Sequence, residues 1–143
     1  MTVHCELNMN AVTALWQRRL RSVIRAVDLS HAQFALLASL GWLAREGRTV
    51  TQIQIAHHAK TDIMVTSSVL RALEARGLIS RAQHPRDARA KILTLLPAGQ
   101  DLIRRALVLV EEADAQFFAP LGPALEDFNG QLQRLTEDRP GPR

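Results

Sequence analysis

From Thr61 to Leu95 the chain runs TDIMVTSSVLRALEARGLISRAQHPRDARAKILTL, and this stretch restricts the possible folds more than any other. Ile63, Thr66, Val69, Leu70 and Leu73 recur at i, i+3, i+6, i+7 and i+10, which predicts one helix with a single inward stripe. Met64, Val65, Ser67, Ser68 and Arg71 fall off that stripe. They are mostly small or polar and free to touch a partner. Gly77 is placed to stop the helix as a C-terminal cap. Beyond it, Leu78-Ile79 and Ile92-Leu93-Thr94-Leu95 predict two short strands around a polar tip that carries Pro85, Asp87 and the arginines 81, 86 and 89. The stretch is therefore a helix followed by a basic hairpin.

The segments on either side are arranged to present this unit. A loose leader is expected over residues 1–9, followed by a helix from Asn10 to Val27 with Val12, Leu15, Trp16, Leu20, Val23, Ile24 and Val27 on one buried face. Asp28-Leu29-Ser30 interrupts it, and Ser30 is a plausible N-cap for the next helix, which buries Phe34, Leu37 and Leu40, with Trp42 and Leu43 as further candidates, and ends at Gly47. Arg48-Thr49-Val50 predicts a brief strand. Thr51 then caps a short helix over 52–59, with Ile55 and Ala56 facing inward. That helix, a tight turn at Lys60-Thr61 and the helix over 62–76 make a helix-turn-helix, a motif whose second helix enters the DNA major groove. Pro97 suits the first turn of a long helix, and an amphipathic helix follows from Ala124 to Leu135. Residues 138–143 are expected to be disordered. The fold class is mainly α with a small β-hairpin wing: a winged helix-turn-helix over 30–95, flanked by helices over 10–27 and 97–137, in one domain over 10–137.

Charge is distributed unevenly. Residues 1–59 carry six Lys/Arg against three Asp/Glu, residues 60–93 seven against three, and residues 94–143 five against eight. The basic excess thus centres on the helix and hairpin, as a phosphate-facing surface requires, although a solvated charged face would show the same counts. No apolar run reaches the ~18 residues of a membrane span, no secretory signal opens the chain, and the single Cys5 excludes an internal disulfide. A cytoplasmic protein with no membrane partner is expected.

Taken in order, LSHAQFALLASL, TQIQIAHHA, VLRALEARGLI, HPRDARA and LPAGQDLI resemble the MarR-type winged-helix regulators over residues 10 to 137. The most specific pieces are Leu73, Glu74, Gly77 and Leu78 in L-E-x-x-G-L, and Asp87, Arg89 and Ala90 in D-x-R-A. The resemblance implies a homodimer joined through its first and last two helices. It also implies binding to a pseudo-palindromic double-stranded DNA operator, often released by a small-molecule effector. Leu96 departs from the pattern, which usually has a capping Thr there; Leu forgoes about 0.5–2 kcal/mol of N-cap stabilisation.

Roles follow from the chemistry of DNA. Val65, Ser67 and Ser68 are small enough to let the backbone approach base edges, and Arg71 can reach a guanine or a phosphate. The resemblance makes Arg89 a minor-groove residue and Asp87 the carboxylate that orients it; the alternative is a local turn ion pair worth little. Arg81, His84, Arg86 and Lys91 are expected at phosphates, with Thr51 and Gln52 offering a helix N-terminus to another. No catalytic or cofactor motif competes: His57-His58 are adjacent and point to different sides of their helix, and no Cys/His cluster or phosphate loop is present. No enzyme activity, metal or cofactor is expected. The resemblance implies that members sensing peroxides through one N-terminal cysteine hold its thiolate with tyrosines; this chain has no tyrosine, so Cys5 is expected to be incidental rather than a switch. A winged-helix protein-interaction module, or a DNA-binding factor without an effector, are the alternative readings.

Overall fold

The computed structural model describes residues 2–137. Helix α1 spans Thr2–Ile24 and passes through a 3-10 turn at Arg25–Val27 into α2, His31–Leu43. The leader expected over residues 1–9 is thus helical from Thr2. Residues 4 to 15 of α1 are all exposed, and the part before Asn10 offers only Leu7 and Met9 as large apolar residues, too few to mark a stripe, while nothing in it breaks a helix. Val12 and Leu15, expected in the core, are exposed, whereas Leu20, Ile24 and Val27 are buried. The tail over 138–143 lies outside the described residues.

Local chemistry sets the next three boundaries. Ser30 caps α2 through a reciprocal pair: its Oγ accepts from Gln33 N–H at 3.1 Å, while Gln33 Oε1 accepts from Ser30 N–H at 3.1 Å. Thr51 and Gln54 repeat the device at α3, Gln52–Ala59. Asp62 Oδ1 accepts from Met64 and Val65 N–H at the start of α4, Ile63–Ala75. At its other end Gly77, with φ +72°, allows Leu78 N–H to reach back to Leu73 C=O at 3.1 Å and its own N–H to reach Glu74 C=O at 2.9 Å.

Strands β1 (Val50–Thr51), β2 (Ile79–Gln83) and β3 (Lys91–Leu95) form an antiparallel sheet in the order β1-β3-β2. Ile79 pairs with Leu95 and Gln83 with Lys91, so β2 runs four residues beyond the expected Leu78-Ile79. Its outer part, Ser80 to Gln83, passes from half-buried to exposed and carries no large apolar residue to mark a strand. Helix α5, Pro97–Phe118, packs through Leu102, Ile103, Ala106, Val110 and Ala113, and its N-cap Leu96 makes no side-chain cap bond. A 3-10 segment, Ala119–Ala124, leads to α6, Leu125–Thr136.

One core unites the parts. Leu36, Leu37 and Leu40 of α2 meet Ile55 of α3, Leu70 and Leu73 of α4, Ile79 and Leu93 of the sheet, and Leu102 and Ile103 of α5. Two long-range ties fix the helices further. Trp16 Nε1–H donates to Asp114 Oδ1 at 2.7 Å, joining α1 to α5. Arg76 Nη1 donates to Asp28 C=O at 2.8 Å and to Gln33 Oε1 at 3.3 Å, joining the end of α4 to the turn before α2.

Candidate nucleic-acid interface

Helix α4 sorts its residues sharply into two faces. Thr66, Leu70 and Leu73 are fully covered, and at 100° per residue the opposite line is Met64, Ser68 and Arg71, all exposed. Val65 flanks this line on one side and the half-buried Ser67 on the other. Ile63, expected in the inward stripe, is 56% exposed. It sits at the first helical position, where the chain is still arriving from the turn and no neighbouring element covers it. Thr66 completes the inner face with polar satisfaction: its Oγ1–H donates to Asp62 C=O at 2.8 Å and its oxygen lies 2.7 Å from Thr61 Oγ1. Arg71 lies back along its own helix, Nε 3.4 Å from Ser67 C=O and Nη2 3.3 Å from Ser67 Oγ.

The wing beside it is internally organised. His84 Nδ1 accepts from the N–H groups of Arg86 and Asp87 at 3.0 and 3.1 Å, and His84 N–H donates to Ala90 C=O at 3.0 Å. Asp87 Oδ1 accepts from Arg89 N–H at 3.0 Å, and Gln83 Nε2 donates to Ala88 C=O at 3.1 Å. Asp87 therefore orients Arg89 through its main chain rather than its guanidinium. Arg86, Arg89 and Lys91 project into solvent from this ordered tip. Arg81 differs. It stands opposite Leu93, on the core side of the sheet, half-buried, with its Nε covered and unpartnered. Gln52 Oε1 is likewise covered without a partner, and Thr51 Oγ1 is already engaged in its cap.

A cavity of about 1020 Å³ opens between the end of α2, the following loop, β3 and α5. Trp42, Leu95 and Leu107 supply apolar wall, and Arg45, Arg48, Arg104 and His58 supply positive or donor groups. Trp42 is 57% exposed there, against the expectation of burial, with the Arg45 guanidinium 3.9 Å from its ring centroid. His58 Nδ1 stands 2.9 Å from the oxygen of the buried Ser39. Partial burial, then Lys60 and Arg45, hold this imidazole below its ordinary pKa of 6.5. Among the described residues no three His, Cys, Asp or Glu side chains gather closely enough to hold a metal ion, and no single helix is long and apolar enough to cross a membrane.

The sequence pattern of the MarR family matches residues 29–91, the helix-turn-helix and wing. The chain is 39% identical over 125 residues to the HTH-type transcriptional regulator YdcH of Bacillus subtilis, covering 87% of this chain and 84% of that protein. The chain belongs to the MarR family. An HTH-type transcriptional repressor of Mycobacterium tuberculosis is 27% identical, with 89% of each chain covered. Escherichia coli MarR, in a crystal structure of a mutant complexed with operator DNA, superposes with a TM-score of 0.83 over 94% of both chains at 18% identity, a likeness of fold.

In this MarR-family chain, Val65, Ser68 and Arg71 of α4 and Arg86, Arg89 and Lys91 of the wing are all exposed. Ser67, Arg81 and Gln52 are partly withdrawn, and Thr51 and His84 are engaged within the fold. Sequence reading set Met64 off the inward stripe but gave it no role at DNA; it is 81% exposed at the N-terminal end of the outward line. Its signal was present: Met64, Ser68 and Arg71 recur at i, i+4 and i+7, the period opposite the buried stripe.

Proposed function

We propose that this chain is a sequence-specific DNA-binding transcriptional regulator, acting as a homodimeric repressor of its target genes in the cytoplasm and released by a small-molecule effector. The observation that carries this reading is the open face of α4 beside a basic, pre-ordered wing. Val65, Ser67 and Ser68 let the helix backbone approach base edges in the major groove, with Arg71 swinging from Ser67 to a guanine or phosphate. Arg89 enters the flanking minor groove on a backbone held by Asp87, and Arg86, Lys91 and Arg81 neutralise phosphates. Thr51 and Gln52 bring the α3 N-terminus to the backbone. The names of its relatives, a regulator and a repressor, support the same reading. The arginine-rimmed cavity suits an effector with an apolar body and an anionic group, since guanidinium pairs with carboxylate in a fixed fork. Cys5 is exposed on α1 and takes no part in release.

The test is enrichment of duplexes from a random library by the full chain, followed by fluorescence anisotropy across a salt series. A pseudo-palindromic motif is expected, with half-sites about one helical turn apart and log affinity falling linearly with log salt. Equal affinity for enriched and scrambled duplexes at every salt concentration sinks the proposal.

A further inference from the structure

The outward line of α4 is not a polar surface at its N-terminal end. Met64 is 81% exposed and Val65 50% exposed, and nothing in the described chain covers either. An apolar group so placed favours a partner that removes it from water. The surroundings define that partner's chemistry. Ser68 and Arg71 continue the same line, and Arg86, Arg89 and Lys91 stand exposed on the wing. The carboxylate at this end, Asp62, is occupied with the N–H groups of Met64 and Val65 themselves. The complementary surface is anionic overall and apolar at discrete points.

Double-stranded DNA meets both conditions at one kind of base pair. In the major groove guanine, cytosine and adenine present only hydrogen-bonding edges, whereas thymine adds its C5-methyl group. We propose that Met64, with Val65 beside it, reads thymine methyls, so that each operator half-site carries thymine where the first turn of α4 docks. This deepens the DNA-binding reading above and rests on it. A flexible thioether chain suits the task, because its three rotatable bonds let the sulfur and terminal methyl follow the groove. Specificity would then be divided along one helix face, an apolar contact from the first turn and a polar or cationic one from Ser68 and Arg71.

The full chain is used to enrich duplexes from a random library, and each thymine of the enriched half-site is then replaced singly by deoxyuridine. That change removes the methyl and keeps the O4 acceptor. At one or two positions per half-site the wild type should bind the uracil duplex about four-fold more weakly, corresponding to ~0.8 kcal/mol per buried carbon. Met64→Ala, a change at an exposed site, should bind thymine and uracil duplexes alike at one of those positions. Arg71→Ala should bind both more weakly and retain the difference between them. If no uracil position weakens binding, or if Met64→Ala keeps the whole penalty, the inference falls and the DNA-binding reading stands. If the library yields no enriched duplex, both fall.

Discussion

At the scale of single residues, four cations that look interchangeable in sequence have different fates. Arg76 is tied to Asp28 and Gln33 across the fold, Arg81 is half-buried on the core side of the sheet, Arg71 lies on Ser67, and Arg89 projects from a turn that Asp87 holds. Arg71→Ala should lose about 1–3 kcal/mol on the enriched operator and relax preference at one position per half-site. Arg89→Ala should weaken binding more on A·T-rich flanks than on G·C-rich ones, where the minor groove is wider, and Asp87→Ala should give a milder version of the same loss. Arg86→Ala, at an exposed wing cation, should weaken all sequences alike and lower the salt slope by about one phosphate contact per subunit. Anisotropy on cognate, flank-swapped and scrambled duplexes separates these outcomes; identical losses for Arg71→Ala and Arg86→Ala on every duplex would refute the division. Gly99 is decided by packing. A Cβ there would overlap the Leu78 carbonyl oxygen and press on Leu95 Cδ1 at 2.9 Å, so α5 approaches the sheet only because this side chain is missing. Gly99→Ala should therefore destabilise by about 1–3 kcal/mol, as overpacking does, despite the ~1 kcal/mol that alanine gains in a free helix. Urea unfolding showing a more stable variant would contradict this.

Among elements, the junction of α2 with α3 couples the helix-turn-helix to the cavity. His58 reaches Ser39 across it, and its pKa is lowered by burial, Lys60 and Arg45. His31, edge-on to Trp16 between α1 and α2, is lowered too, by burial and then Arg21. The sign follows from linkage. Each imidazole takes up its proton near pH 6.5 when unfolded but only at lower pH when folded, so the unfolded state binds more protons in between. Both contributions to stability are fully present above about pH 6.5 and are lost as pH falls through the folded values. Thermal unfolding should show a decline in Tm from pH 7 to pH 5 that His58→Gln and His31→Gln each make shallower. An unchanged pH profile in both variants would rule these histidines out as its source.

For the whole molecule, the described chain leaves many large apolar side chains of its first and last helices uncovered. Helix α6 buries no side chain, and Leu121, Leu125, Leu132 and Leu135 are exposed together with Leu7, Met9, Val12 and Leu15 of α1 and Val108 of α5. A monomer of this size does not keep such a surface in water. A second copy of the chain covers it in the arrangement we propose, burying roughly 2,000 Å² or more, and sets the spacing of the two α4 helices on DNA. Light scattering should find a dimer at micromolar concentration, with no folded monomer on dilution before DNA affinity is lost. A stable monomer would remove the half-site geometry as well. Cys5→Ser should leave both affinity and release unchanged, since the thiol lies exposed on α1, far in sequence from wing and cavity residues alike.

The sequence by itself determined what depends on neighbours within a turn or two. The inner stripe of α4, the caps at Ser30 and Thr51, the stop at Gly77 and the order of helices and wing strands are all written in short-range patterns, and so is membership of the MarR family. The uncapped start of α5 at Leu96 was legible for the same reason, because a cap is a contact between residues three apart. Tertiary structure decided whatever depends on residues distant in sequence. Val12, Leu15 and Trp42 carry the right chemistry for a core but stand where no element of this chain covers them. Helix α1 starts at Thr2 rather than Asn10, because residues 2–9 hold few large apolar residues from which a helical period could be read. Arg76 and Arg81 became structural or half-buried through contacts and pairings that span long stretches of chain, and the cavity exists only where α2, β3 and α5 converge. Burial is a property of the assembled surface, and local pattern reports it only where an element packs along its whole length.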